Sequence, residues 1–263
     1  MQLSSHLEGL REAMVAFVRS ADRAGWRAPV PTCPGWTVRR LVAHQGMVHR
    51  WATAELRGAA AGPSAARRPA FDPSAAERLG FGSSDPLDWL REGAIGLVAA
   101  VVAAPDDVDA PVFLADAPPP RRFWARRQCH ETTVHAVDAL AAALGRLPTA
   151  ADAAWVDPKI ATDGIDELLT GFLPRESTRL RTDGAARLGV VVDGARAGWV
   201  VDLGPGVPVT TRVEAACVDG DLVLRGTPTA LQLTLWNRSD ECAPEDGHPL
   251  WASWRELVRV SFR

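Results

Sequence analysis

The spacing of apolar residues changes once along the chain, close to Arg187, and this change limits the folds that the chain can adopt. Before it, apolar side chains recur at every third or fourth position, which is typical of amphipathic α-helices. After it, short runs rich in valine and threonine are separated by glycine-containing turns, which is typical of β-strands. The sequence therefore predicts an α+β protein of two domains, with a four-helix bundle followed by a small mixed α+β domain.

We place the helical bundle at residues 1–150, a linker with one helix at 151–185, and the α+β domain at 186–263. Thr37 is expected to cap the second helix of the bundle, and Asp85 with Pro86 to begin the third. The long helices of the bundle are predicted at about 3–24, 38–56, 86–104 and 123–145, with a short helix at about 75–79 in the loop that spans 59–86.

The remaining elements are predicted from β-branched runs and turn residues. A helix in the linker is expected at 160–172, and strands are expected at 188–192, 199–203, 207–214 and within 216–224. Thr227 and the following proline begin a further helix, which ends near Arg238. The tail at 251–263 is expected to form a helix and then a strand.

Composition excludes several classes of protein. The net charge of −3 argues against nucleic acid as a partner, because phosphate binding depends on a basic surface. The four cysteines lie far apart in the sequence and form no CxxC pair, so neither a disulfide framework nor a cysteine-rich zinc site is expected. No apolar run approaches the roughly 18 residues of a membrane span, and the amphipathic N-terminus differs from a signal peptide. We therefore expect a cytoplasmic protein that binds neither nucleic acid nor membrane.

Acidic and imidazole side chains share one face of the fourth predicted helix. Glu131 and His135 are four residues apart, so they lie one turn from each other and could chelate one divalent ion. Asp138 follows on the same side, where it could accept the free imidazole N–H or hold the helix packing, and a salt bridge with an arginine is the alternative. Taken alone, such a Glu–His pair is more often a solvated or structural pair than a metal site.

A third candidate ligand lies on the second predicted helix. Leu41, His44, Val48 and Trp51 recur at intervals of three and four, which places His44 on the buried face and His49 on the surface. An inward histidine is more often a core residue than a ligand. Two imidazoles and one carboxylate nevertheless match a known catalytic zinc set that leaves one coordination position open.

Two segments of the chain resemble the mycothiol-dependent maleylpyruvate isomerase family. The first comprises Cys33–Val38 and Leu41–His44, and the second is the Glu131–Asp138 segment with its Glu-x3-His-x2-Asp pattern. The order of the domains is also similar over nearly the whole chain. A DinB-like four-helix bundle is followed by a small α+β domain, which ends with a leucine-rich helix and an arginine. The sequence departs from the family at Val137, where tryptophan is common.

The resemblance implies that His44, Glu131 and His135 bind a divalent metal, usually zinc, and that mycothiol is the thiol cosubstrate. A metal-activated thiolate would then add to a small electrophilic substrate, either for cis–trans isomerisation or for S-transfer. The resemblance also assigns Arg238 to the stabilisation of negative charge on the substrate. Arg127, one turn before Glu131, is a second candidate for this role, and a simple surface charge is an equally good interpretation of it.

A second class of function stays open at this point. The chain could be a metal-stabilised binding or regulatory protein without catalysis. Structural zinc is usually closed by four protein ligands, whereas the predicted set has three, and this favours an enzyme. Zinc hydrolase chemistry is less well supported because the sequence has no HExxH motif.

Overall fold

The computed structural model describes residues 1–60 and 71–259, apart from the side chain of Ala60. These residues form two units, one of Met1–Phe113 with Ala117–Pro148 and one of Leu114–Asp116 with Thr149–Arg263. Within the described ranges, no helix is both long enough and apolar enough to cross a membrane.

The first unit is a helical bundle whose helix ends follow from capping residues and prolines. Asp85 accepts a hydrogen bond from the backbone N–H of Asp88, with Pro86 at the first helical position. Asp72 caps the short third helix in the same way. The helices are α1 (Leu3–Ala24), α2 (Val38–Ala60), α3 (Pro73–Gly82), α4 (Pro86–Ala103) and α5 (Pro120–Leu144).

The helices α2 and α5 are buried on more than one side. Every residue of α2 from Leu41 to His49 is buried, and so is nearly every residue of α5 from Phe123 to Ala139. A helix that is surrounded in this way has no solvent-facing side for its polar residues. Histidine, carboxylate and arginine side chains on α2 and α5 are therefore brought into the interior, where they need partners.

The second unit contains a four-stranded sheet and several short helices. Its strands are β1 (Ala186–Val192), β2 (Ala197–Leu203), β3 (Val209–Glu214) and β4 (Leu222–Gly226), in the spatial order β3-β2-β1-β4. β1 and β2 pair antiparallel, as do β2 and β3, whereas β1 and β4 pair parallel. The helices are α6 (Pro158–Asp166), a π-helix over Glu167–Phe172, α7 (Pro228–Leu235) and α8 (Pro249–Leu257).

The segment that connects β3 to β4 lies across the sheet, where two glycines leave room for it. A Cβ atom on Gly189 or Gly198 would lie 2.6 Å from a methyl group of Val218, which is much closer than such atoms approach. The absence of a side chain at both positions therefore lets the connection pack directly on β1 and β2.

The predicted fold class is confirmed, since a helical bundle precedes a small α+β unit. Several details differ. The second helix continues to Ala60, the short third helix begins at Pro73, and the helix expected at 160–172 is divided into α6 and a π-helix. The strand expected from residue 207 begins at Val209. Part of the predicted loop, 61–70, and the strand expected at the end of the tail lie outside the described residues.

Candidate metal centre

The two buried helices of the bundle bring His44, Glu131 and His135 together. Nε2 of His135 lies 3.2 Å from Oε1 of Glu131, and Nε2 of His44 lies 4.0 Å from the same oxygen. One donor atom from each of the three residues lies within 4.8 Å of the other two. The sequence-predicted ligands, separated by almost ninety positions in the chain, therefore converge on one point.

The three residues fit a divalent metal ion in chemistry and in spacing. Two imidazoles and one carboxylate form a donor set known from catalytic zinc sites. Tetrahedral zinc with bonds of about 2.0–2.1 Å separates its ligand atoms by about 3.3 Å. The separations from the Glu131 oxygen, 3.2 and 4.0 Å, bracket that value. Bringing Nε2 of His44 from 4.0 Å to that separation from the Glu131 oxygen takes a shift of about 0.7 Å.

The protonation states of two of these residues suit metal binding. Burial lowers the pKa of His44 to about 4, and the nearby charge of His135 adds to this effect, so His44 is neutral at pH 7. Burial alone would raise the pKa of Glu131, but Arg127 and the two histidines hold it well below its usual range. A neutral imidazole and an ionised carboxylate are the forms that bind metal.

His135 is held between two carboxylates. Its Nδ1 lies 2.8 Å from Oδ2 of Asp138, which is fully buried. Burial would lower the pKa of His135, but the hydrogen bonds to Asp138 and Glu131 raise it to about 9. Because Nδ1 faces Asp138, Nε2 points toward Glu131 and His44. Histidines that bind metal through one ring nitrogen commonly donate a hydrogen bond from the other. The structure thus contains the contact between Asp138 and the free imidazole nitrogen.

The loop between α1 and α2 closes one side of the three residues. The indole of Trp36 lies edge-on to the ring of His44, with centroids 5.0 Å apart, and near-parallel to the ring of His135 at 6.4 Å. The Arg40 guanidinium lies over the indole ring, 4.9 Å from its centroid. Cys33, His135 and Asp138 form a further group whose donor atoms lie within 4.8 Å of one another.

Arg127 is buried and contacts a candidate ligand. Its side chain is 3% exposed, and Nη2 donates a hydrogen bond to Oε2 of Glu131 at 2.5 Å. The surface-charge interpretation of Arg127 is therefore wrong. The reason is that α5 is surrounded by other helices. The contact occupies one oxygen of Glu131 and leaves the other facing the two histidines.

His49 was predicted on the surface, and this prediction is wrong. The residue is fully buried, and its Nε2 lies 2.8 Å from Nε2 of Gln45 and 2.9 Å from Oγ1 of Thr132. Burial lowers the pKa of His49 to about 3, with Arg50 adding to the effect. The prediction assumed that α2 has a single buried face, whereas α5 and α4 both pack on it.

In the second unit, the end of α7 determines the backbone position of Arg238. The N–H of Arg238 donates to the carbonyl of Leu233, and the N–H of Asn237 donates to that of Thr234. With a φ of 61° at Asn237, these bonds form a Schellman motif. The half-buried Arg238 side chain donates from Nη1 to the Trp236 carbonyl at 2.7 Å. Its catalytic role stays a prediction.

The histidines predict how the stability of the metal-free protein depends on pH. The pKa of His135 is raised from 6.5 to about 9, so its stabilising contribution is complete below pH 6.5 and is lost as the pH rises through 9. The pKa of His44 is lowered to about 4, so its contribution is present above pH 6.5 and is lost as the pH falls through 4. Urea unfolding of the chelator-treated protein should therefore show greatest stability near pH 6.5.

The variant Asp138→Asn tests whether His135 causes the loss of stability at alkaline pH. It removes a charge that raises the pKa of His135, so the loss of stability between pH 6.5 and 9 should become smaller. An unchanged alkaline slope would show that His135 is not the group that titrates there.

Sequence reasoning did not identify the contacts of Thr32, Cys33 and Trp36. All three lie in the proline-rich loop, and the Cys-Pro-Gly-Trp pattern was visible in the sequence. That pattern gave no indication of which side chains the loop would meet. The contacts of Thr32 and Cys33 with Asp138 join residues 106 and 105 positions apart, so they follow from the packing of the bundle.

Comparison with known proteins identifies the family. The model of the mycothiol maleylpyruvate isomerase N-terminal domain matches residues 7–140 of the 263. A solved mycothiol-dependent maleylpyruvate isomerase has the same fold, with 16% identity and a TM-score of 0.60. A histidine-to-alanine mutant of such an isomerase is 15% identical to this chain and superimposes with a TM-score of 0.61. Each alignment covers 92% of both chains. No curated protein sequence matches. Since the family match spans half of the chain, the protein belongs to the family defined by the mycothiol maleylpyruvate isomerase N-terminal domain.

Proposed function

We propose that this protein is a cytoplasmic, metal-dependent enzyme that uses mycothiol to attack a small electrophilic substrate. Its reaction would be a cis–trans isomerisation like that of maleylpyruvate isomerase, or an S-transfer in which the thiol stays attached. The observation that carries the proposal is the convergence of His44, Glu131 and His135 in the bundle. Membership of the family and the shared fold of the solved isomerases support it.

The candidate ligands are His44, Glu131 and His135, and zinc or another divalent ion would be held by them. When bound, such an ion lowers the pKa of a coordinated thiol, so that the thiolate is present at neutral pH. Nδ1 of His135 faces Asp138, so when Nε2 gives up its proton to a metal ion the neutral imidazole would keep its N–H on Nδ1 and its lone pair on Nε2. Arg127 holds the carboxylate of Glu131 in place through its second oxygen.

The proposed reaction needs a cation near the substrate. The thiolate sulfur bonds to one carbon of a double bond that is conjugated with a carbonyl, and the electron pair moves onto the carbonyl oxygen. After rotation about the resulting single bond, the pair returns and the carbon–sulfur bond breaks. A guanidinium would stabilise the intermediate oxygen anion. We assign this role to Arg238, because Arg127 already holds Glu131.

Proton release and turnover distinguish an enzyme from a metal-stabilised binding protein. Mycothiol added to the zinc-loaded protein at pH 7 should release a proton, which a weakly buffered solution with an indicator dye measures. A cis-configured conjugated dicarboxylate added next should then either isomerise, with the thiol recovered, or retain the thiol. Metal binding without proton release and without turnover would favour the binding or regulatory protein and would overturn the proposal.

A further inference from the structure

Thr32 lies in the loop between α1 and α2 and contacts a carboxylate 106 positions further along the chain. Its Oγ1 donates a hydrogen bond of 2.6 Å to Oδ1 of Asp138. The next residue, Cys33, approaches the other oxygen, with Sγ 3.4 Å from Oδ2. Oδ2 also accepts from Nδ1 of His135. The Thr32 hydroxyl and the His135 imidazole thus contact different oxygens of one carboxylate.

This carboxylate needs such partners, because it is completely buried. Asp138 has no exposed surface, and an ionised carboxylate in the interior is costly unless hydrogen bonds satisfy its oxygens. The hydroxyl of Thr32 satisfies one oxygen at a short distance and fixes the plane of the carboxylate. The weaker thiol donor of Cys33 meets the oxygen that His135 already uses.

The loop is itself held in a defined conformation, so the hydroxyl is well positioned before any metal binds. The N–H of Val30 donates to the carbonyl of Trp36, and the N–H of Trp36 donates to the carbonyl of Cys33. A bridge between Pro29 and Thr37 closes its base. These bonds form a small closed loop that holds Thr32 against α5.

We propose that Thr32 is a positioning residue for the metal centre, because its hydroxyl orients Asp138, which in turn orients the imidazole of His135 toward the metal. The inference rests on the proposed function in taking His135 as a ligand. In this role Thr32 is not itself a metal ligand. Its effect reaches the site through a chain of two hydrogen bonds, from the loop to Asp138 and from Asp138 to His135.

The test measures zinc affinity in metal-free protein by competition with a chromogenic chelator. Thr32→Val keeps the shape of the side chain and removes the donor, so zinc affinity should fall by about tenfold, at the low end of what outer partners of metal ligands contribute. Thr32→Ser restores a hydroxyl at the same atom and should recover most of the affinity. Cys33→Ala, which removes the weaker donor, should change affinity less than Thr32→Val.

Thermal unfolding of the metal-free variants separates positioning from simple loss of stability. If Thr32→Val weakens zinc binding while Thr32→Ser does not, and both unfold cooperatively, the positioning role is supported. If Thr32→Val binds zinc as tightly as the wild type, the inference is wrong. A failure of the proposed metal site would differ from a failure of this inference. In that case the wild-type protein itself would not bind zinc, or would bind it equally well without His44.

Discussion

Replacing His44 by alanine should lower zinc affinity by more than about 100-fold, so that the purified protein carries almost no metal. Loss of a residue that only supports a metal ligand typically costs 10–100-fold, and loss of a ligand should cost more. Glu131 and His135 would be left as a two-residue set on one helix. Elemental analysis and chelator competition measure the effect, and the same result is expected for Glu131→Ala and His135→Ala.

The chain offers a matched control for this variant in His49. It is a second buried histidine on α2, and its contacts are with Gln45 and Thr132. His49→Gln should reduce stability, because it disturbs a buried hydrogen-bonded group, while the zinc content stays at the wild-type level. Stoichiometric zinc in the His44→Ala protein would show that His44 is not a ligand. Equal loss of zinc in both variants would show that the effect is one of folding.

Replacing Arg238 by alanine should lower turnover by about 100-fold or more and leave the zinc content unchanged. Removal of one group that stabilises a developing oxyanion typically has an effect of this size. The three candidate metal ligands lie in the first unit of the chain, whereas Arg238 lies in the second. Turnover with mycothiol and a conjugated dicarboxylate, measured together with metal content, tests the assignment.

Two further variants make this prediction specific. Arg238→Lys keeps the charge but loses the planar pair of donors, so it should recover only part of the activity. Arg225→Ala removes an exposed arginine from β4 of the same unit and should have little effect. Full turnover in the Arg238→Ala protein would show that another group stabilises the substrate charge.

The candidate site was largely predictable because its residues follow helical spacing. Glu131, His135 and Asp138 share a face of α5 by their intervals alone, and the apolar neighbours of His44 placed it inward. The same reasoning failed for His49, because it treats a helix as having one buried face. Since α2 packs against α3, α4 and α5, a residue off the main stripe is buried too. Sequence spacing cannot show how many neighbours a helix has.

The fold was predictable at the level of element type, and the exceptions have local causes. Helix starts followed from Asp85 and Thr227, whose side chains accept the expected hydrogen bonds. The π-helix at Glu167–Phe172 leaves no signature in the order of apolar residues. The contact between Thr32 and Asp138 was also hidden, since it depends on a loop that meets a helix far along the chain.

Parallel pairing of β1 with β4 makes the last strand of the sheet depend on the earlier ones during folding. β1, β2 and β3 follow one another and pair antiparallel, so they can assemble through short turns. β4 returns beside β1, where Leu222 pairs with Leu188, through a connection in which Val218 packs over Gly189 and Gly198. Contacts between residues so distant in the sequence form more slowly. α7 begins directly after β4, and Arg238 follows it. The candidate catalytic arginine is thus placed by the part of the sheet that is expected to form last.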